Sequence, residues 1–544
     1  MDNSASSATE TEPTVVDAQC RPTFVEQLSS EVPTATAVPS SGVALTVTPE
    51  MSVYSTSACD ALLGVTLAAC PAPSDRDRAP VDCVVVTDVS GSMAGEKLAL
   101  VQQTVKLLLD EFGAADRVGL VTFDTTVHDR LSLTAMDQKT KTTANGVVDS
   151  FRAGSSTNLS GGLFAGLQQL IAAHNEDQKN HKGSGTTKKG VKSLLLMTDG
   201  QANYGLRSAD EIVPVLTSML AGTGIALHTF GYGAGHDSTL LRQLASTGHG
   251  SYYFVESADD IRSAFGDCLG GLLSVVAQNL VLELAPLHSK AIIKQVHHKA
   301  AVPGPVPGTF RVPFADLYGD ERRDVLVSFV LPADESSVGA RCLGDEANTA
   351  AAAVLPVLRA TLKYVDVLGA RAAVACADGV LARAAPGSTR VASAAVNPEL
   401  EQQRLRLLVA DTLDDARTSA GNGDLAAARA AVAQTRGAVA AALARQVACS
   451  GNGGLAATAV AGESAMLPSF LEDLDECARG LANSSAFRST SHKMAMMSEG
   501  HQQQRCMESR LEHASTSGAA SKMRSNAYRT TSKQKKSMAF AGLF

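Results

Sequence analysis

Two carboxylates and three hydroxyls stand out in this sequence because their types and spacing suit a hard cation. Asp88, Ser90 and Ser92 form an Asp-x-Ser-x-Ser phrase, Thr157 lies in Gly154-Ser155-Ser156-Thr157-Asn158, and Asp199 closes Met197-Thr198-Asp199-Gly200. Carboxylate and hydroxyl oxygens are the donors that Mg2+ selects over soft ligands. The bland alternative is that the same side chains cap helices and turns, for which Asp, Ser and Thr are common choices. Asp-x-Ser-x-Ser alone does not separate the two readings.

The elements that must position these residues emerge from hydrophobic patterning. Buried-type apolar runs at 81–88, 117–123, 192–199, 224–231 and 251–255 alternate with helical stretches, which is the rhythm of a mostly parallel α/β sheet. Leu98, Val101, Val105, Leu108, Leu109 and Phe112 recur at three- and four-residue spacing, predicting a helix with one apolar face that stops at Gly113. Asp88 and Asp199 then fall at the carboxyl ends of two strands, where an open parallel sheet presents its ligand crevice.

With all three segments in order, residues 82–264 resemble a von Willebrand factor type A domain with a complete metal-ion-dependent adhesion site, and the phrase Asp116-Arg117-Val118-Gly119-Leu120-Val121-Thr122-Phe123 fits the same resemblance. The resemblance implies that Ser90 and Ser92 bind the metal directly, Thr157 directly or through water, and that Asp88 and Asp199 mostly hold its waters. It implies Mg2+, with Mn2+ or Ca2+ as substitutes, and a coordination position left open for a carboxylate from a protein partner. The segment from Asp316 to Asp324 resembles the stretch after the A domain in intracellular eukaryotic proteins of this type, including plant proteins that carry a RING finger. Residues 280–480 resemble the portion after the A domain in proteins with a hedgehog-intein-like module. No Cys/His series of a RING and no splicing nucleophile is recognisable here, so a ubiquitin connection rests on resemblance alone.

The organisation expected around that domain has six parts. Residues 1–41, rich in Ser, Thr, Pro and Glu, are a disordered leader. Alternating apolar residues in 42–75 form strands that join a later sandwich, so that the A domain, 78–274, is inserted into or flanked by it. Short strands with Pro and Gly punctuation over 275–395 complete the β-sandwich. Residues 396–485 form a helical hairpin, opened by Asn397-Pro398 and turned at Gly421-Asn422-Gly423-Asp424, plus a third short helix. Residues 486–544 form a basic low-complexity tail that is expected to be disordered like the leader; from Arg488 onward ten Lys/Arg face three Glu. Gly161 and Gly162 read as turn glycines, and the charged run 320–324 as a solvated turn with local ion pairs.

Composition narrows the function classes. At 544 residues, 45 % hydrophobic and 19 % charged, the chain is globular and large enough for several folded units, and a net charge of −8 offers no basic footprint for nucleic acid. Its ten cysteines include no Cys-x2-Cys pair, and no apolar run reaches the roughly 20 residues of a membrane span. A reducing, cytoplasmic setting is therefore expected. The Gly-rich stretch 183–190 lacks phosphate-loop spacing, Gly231-Tyr232-Gly233-Ala234-Gly235 lacks dinucleotide spacing, and His297-His298 reads as a solvated strand end without a third ligand. No general base or nucleophile accompanies the Asp/Ser/Thr set, which favours a Mg2+-dependent binding scaffold over a scaffold with metal-independent contacts, and both over a metal-assisted hydrolase.

Overall fold

A computed structural model describes residues 42–504 apart from 182–189, 200–201, 234, 256–257, 289–290, 315, 334–352, 385–390, 392–393, 395 and 451–465, and beyond 504 describes Tyr528, Thr530, Lys533 and Lys535. The expected leader, 1–41, lies outside the described residues, as does most of the tail. The chain opens with strands β1 (Val43–Pro49), β2 (Tyr54–Ser55) and β3 (Cys59–Ala69). An alternating unit comes next: β4 (Val81–Asp88), α1 (Glu96–Glu111), β5 (Arg117–Phe123), β6 (Val127–Ala135), α2 (Gln138–Asp149), α3 (Leu159–His181), β7 (Val191–Thr198), α4 (Ala209–Leu220), β8 (Ile225–Tyr232), α5 (Ser238–Thr247), β9 (His249–Val255) and α6 (Ala258–Leu272). Strands then return as β10 (Val275–Pro286), β11 (Ile292–His297), β12 (Val302–Pro303), β13 (Phe310–Phe314), β14 (Leu317–Tyr318), β15 (Arg322–Leu331), β16 (Ala353–Asp366) and β17 (Arg371–Ala384). Helices α7 (Pro398–Gly421), α8 (Leu425–Ser450), α9 (Met466–Gly480) and α10 (Ser484–Gln503) follow.

The central sheet has the order β6-β5-β4-β7-β8-β9 and is parallel except for β6. Every residue of β4, β7 and β8 is buried, as expected where helices cover both faces. On one face, Val101, Val105, Leu108 and Leu109 of α1 pack with Phe265 and Leu269 of α6. On the other, Leu159, Leu163, Leu167 and Leu170 of α3 meet Val84, Val86, Leu194 and Leu196. Each such leucine contributes on the order of 2 kcal/mol by leaving water. Gly161 and Gly162 belong to α3 and are not turn residues: a Cβ at Gly162 would come within 2.4 Å of the Phe123 ring. A bare backbone there lets α3 sit directly on β5.

The early strands do not join the parallel sheet. β3 pairs with β1 on one side and with β15 on the other, in a four-stranded sheet ordered β1-β3-β15-β11. A second sheet, β12-β13-β10-β16-β17-β2 with β14 also on β10, faces it across a core that includes Leu63, Val65, Leu282, Val327, Phe329 and Leu362. The parallel unit is thus inserted between two strands of one sandwich.

Helix α7 lies on the outer side of the four-stranded sheet, where Leu400 meets Leu62 and Leu326 above Gly64. Helices α7 to α10 share a core of Val409, Leu413, Val432, Phe470, Leu474, Met494 and Met497. The segment from 486 was expected to be unstructured, yet its first part is α10, with His492, Met494, Ala495, Met496, Met497, Ser498 and His501 buried. Composition concealed this because the buried side consists of Met, Ala and hydrogen-bonded polar residues, with none of the Leu/Val stripe that advertises a helix.

The charged run 320–324 is likewise a correction. Glu321, Arg323 and Asp324 are buried, not solvated, although the local pairing does occur, with Arg323 Nη2 to Glu321 Oε1 at 2.8 Å. Asp324 accepts from Thr66 Oγ1 at 2.5 Å, Arg322 Nε at 3.3 Å and Gln504 Nε2 at 3.2 Å, and its N–H donates to Gln504 Oε1 at 2.6 Å. The fully buried Arg406 guanidinium donates to Gln403 Oε1 and the His501 carbonyl, both at 2.6 Å. His298 is half-buried against Phe314 instead of fully solvated, and burial pushes it down to about 4.

Because Asp324 satisfies groups from β3, β15 and the end of α10 at once, Asp324→Ala leaves several buried donors without acceptors. The expected cost is about 3 kcal/mol, against about 1 kcal/mol for Thr66→Val, read as lowered midpoints in urea unfolding. Equal, small shifts would deny Asp324 its central place.

Candidate functional site

The carboxyl edges of β4 and β7 are adjacent because the strands run parallel in register, Thr87 opposite Met197. Asp88 ends β4 with its side chain fully buried; its Oδ1 accepts the Ser90 N–H at 2.7 Å and its Oδ2 accepts the Thr198 hydroxyl at 2.5 Å. Burial pushes the Asp88 carboxyl up, opposed by the hydrogen bonds from Thr198 and Ser90. After Asp88 the chain makes a single 3-10 turn at Gly91–Met93 and then enters α1 through Gly95. Gly95 has φ +84°, a left-handed conformation that favours glycine, so this turn is written into the sequence.

Four of the five expected residues form one hydrogen-bonded chain. Ser90 Oγ and Ser92 Oγ are 3.1 Å apart, and Ser92 Oγ donates to Asp199 Oδ1 at 2.8 Å. Thr157 is buried and is tied in through backbone: Gly91 N–H donates to the Ser155 carbonyl at 2.8 Å and Gly154 N–H to the Val89 carbonyl at 2.6 Å. Thr157 N–H donates to Asn203 Oδ1 at 2.7 Å, and its carbonyl accepts from the N–H groups of Asn203 and Tyr204. Three loops, after β4, before α3 and after β7, therefore meet at one edge of the sheet.

Sequence reasoning passed over three participants. Thr198 holds Asp88, and its place inside Met197-Thr198-Asp199-Gly200 was the available signal. Asn203 braces the Thr157 loop and is announced by nothing local. Lys97, in the first turn of α1, forms an ion pair with Asp199 Oδ2. Chemically, the cluster is an oxygen-rich patch with two carboxylates and hydroxyls within reach of one another. Among the described residues no group of three or more His, Cys, Asp or Glu is arranged to hold a metal, so a cation here would depend on hydroxyl oxygens as well as carboxylates.

Beside the cluster, the loop after β8 carries His236, buried against Tyr252, Phe254 and His492 of α10. Its Nδ1 lies 2.5 Å from the Gly233 carbonyl and its Nε2 2.7 Å from the Tyr252 hydroxyl, an arrangement served by the neutral ring with the proton on Nδ1. Burial pushes His236 down to about 4.

Residues 82–267 match the von Willebrand factor type A domain family. Among curated proteins, the E3 ubiquitin-protein ligase WAV3 of Arabidopsis thaliana is 30 % identical over 267 residues, 47 % of this chain and 31 % of that protein. The uncharacterized protein YfbK of Escherichia coli is 27 % identical over 203 residues, 37 % of this chain and 33 % of that one. The matched region thus spans about a third of the length of these relatives. A solved structure of a von Willebrand factor type A protein from Catenulispora acidiphila superposes with a TM-score of 0.57 at 15 % identity, over 81 % of this chain and 91 % of that one. At that identity the likeness concerns the fold alone, and its reach extends well beyond the parallel sheet.

The unfolded chain takes up a proton at an ordinary histidine below about pH 6.5, while His236 in the folded chain resists until about 4, so its contribution to stability is fully present above 6.5 and is lost as pH drops through that window. His236 alone accounts for a loss of about 3 kcal/mol between the two values. Unfolding measured from pH 7.5 to 4 should show a shallower acid slope for His236→Gln than for the wild type; parallel curves would place the acid sensitivity elsewhere.

Proposed function

We propose that this chain, whose residues 82–267 form a von Willebrand factor type A domain, is a protein-binding scaffold that captures a carboxylate of its partner through a divalent cation. The observation that carries the reading is the linked cluster Asp88, Ser90, Ser92 and Asp199 at the meeting point of two parallel strands, with a positive group, Lys97, already drawn to it. The donor set fits a small hard cation. Ser90 and Ser92 would bind it directly, Thr157 directly or through water, and Asp88 and Asp199 mainly through waters, with Mg2+ the favoured ion and Mn2+ a substitute. Ca2+ fits less well because it prefers more ligands.

The bound cation would supply electrophilicity toward an incoming oxygen ligand, and the protein supplies the rest. Thr198 and the Ser90 N–H orient Asp88, Ser92 orients Asp199, and Asn203 holds the loop that carries Thr157. Two carboxylates acting mostly at a distance leave the ion's charge only partly neutralised, so an anionic partner group gains more than a neutral amide. Binding is therefore the activity proposed, without catalysis. The resemblance to a ubiquitin ligase belongs to the matched region, and ligation itself is not proposed, since the cysteines here include no Cys-x2-Cys pair. Among the described residues no helix is long and apolar enough to cross a membrane.

The test is capture of cellular proteins by the purified chain in Mg2+ and in EDTA, for wild type, Asp88→Ala and Ser90→Ala. Wild type in Mg2+ should retain partners that EDTA and both substitutions release. Ser90→Ala should change stability by no more than about 1 kcal/mol, because its hydroxyl bonds within the cluster. Capture that is equal in Mg2+ and EDTA would replace this reading with a scaffold whose contacts need no metal.

A further inference from the structure

Asp199 has both carboxylate oxygens engaged from within the chain. Oδ1 accepts the Ser92 hydroxyl at 2.8 Å, and Oδ2 is ion-paired with Lys97 Nζ, which also lies 3.4 Å from the Ser92 carbonyl. The Asp199 side chain is fully buried, whereas Lys97 is 42 % exposed, so the carboxylate cannot turn to water but the ammonium can. The approach is arranged by backbone: Lys97 is the second residue of α1, placed by the turn at Gly95, and its stem passes Gly233, where even a Cβ would sit 3.7 Å from Lys97 Cε.

We propose that Lys97 is a tethered counter-cation for Asp199 that competes with the divalent ion, so that metal loading requires the ammonium to swing outward. This rests on the reading of the cluster as a metal centre. A monovalent and a divalent cation sharing one carboxylate repel each other, and the dielectric near a buried acid makes that repulsion cost more than it would in water. Lys97 has an exit because its head is partly in solvent and its stem is flexible. Its presence keeps Asp199 neutralised when divalent ion is scarce and sets the ion concentration at which the site becomes competent to bind a partner.

Lys97→Met preserves the length of the stem and removes the charge. Titration with Mn2+, tracking free ion by electron paramagnetic resonance, should give a dissociation constant about tenfold lower for Lys97→Met than for wild type, with Lys97→Arg close to wild type. Thermal unfolding provides a second readout: in EDTA, Lys97→Met should melt below wild type, since Asp199 loses its countercharge, and Mg2+ should raise its melting temperature by more than it raises that of wild type. If wild type binds Mn2+ and Lys97→Met binds it equally or more weakly, the competition is overturned while the metal reading stands. If neither chain binds Mn2+, the metal reading falls and takes this proposal with it.

Discussion

The pairing of β3 with β15 is the constraint on which the rest of the molecule depends. Cys59 to Ala68 meet Leu331 to Arg322 in unbroken antiparallel register, joining two segments that the whole parallel unit separates in the chain. Closing so long a loop is entropically unfavourable, although the cost grows only with the logarithm of loop length. A ladder of ten residue pairs whose inner side chains are buried offsets it. Once formed, the pairing fixes where the inserted domain enters, after Ala69, and where it leaves, at the junction of α6 and β10. It also creates the outer surface on which α7 lies and brings Thr66 and Asp324 together.

The helical layer uses polar groups to make this arrangement specific. Arg406 and Gln504 reach the sandwich from α7 and from the end of α10, while Arg242 of α5 faces Glu499 of α10 at 3.2 Å and Asp414 of α7 at 3.9 Å. The same helices therefore touch both the sandwich and the inserted domain. Lys533 adds a further tie, with its ammonium buried 2.9 Å from Asp267 of α6 and 4.9 Å from the centre of the Tyr318 ring. Buried charges of this kind contribute little net stability compared with apolar packing, but a partner lost is costly, which penalises any other docking of the layers.

The site presents the opposite electrostatic problem. Parallel registry of β4 and β7 forces two carboxylates to one edge, and like charges there destabilise each other. The local responses are hydroxyl and amide donors on Asp88 and an ammonium on Asp199. An edge that must gather negative charge and then compensate it is suited to attracting positive charge, and this links the fold to the proposed binding chemistry.

Much of this was legible in the sequence, where periodicity reports local structure. The alternation of apolar strands with the α1 stripe specified the parallel sheet, Asn397-Pro398 opened the helical hairpin and Gly421-Asn422-Gly423 turned it, and the alternating strands at both ends of the inserted domain pointed to one sandwich. Asp88, Ser90, Ser92 and Asp199 could be named because each stands at a strand end or in the turn after it. What periodicity cannot carry is the identity of long-range neighbours. The helix from Ser484 escaped notice because its buried face is made of Met, Ala and His, which become core residues only against α7 and β9. The run 320–324 resembled a solvated turn because its charges find Thr66 and Gln504 only in the folded chain. Gly162 needed the Phe123 ring beneath it to reveal its purpose, and Lys97 needed Asp199, distant in the chain, brought beside it by the pairing of β4 with β7. Sequence alone determined the elements with an apolar period and the chemistry at their ends, since backbone sterics and side-chain periodicity act locally; tertiary structure decided which charges and which Met- and Ala-lined faces would be buried together, because only packing brings distant groups out of water and within hydrogen-bonding distance.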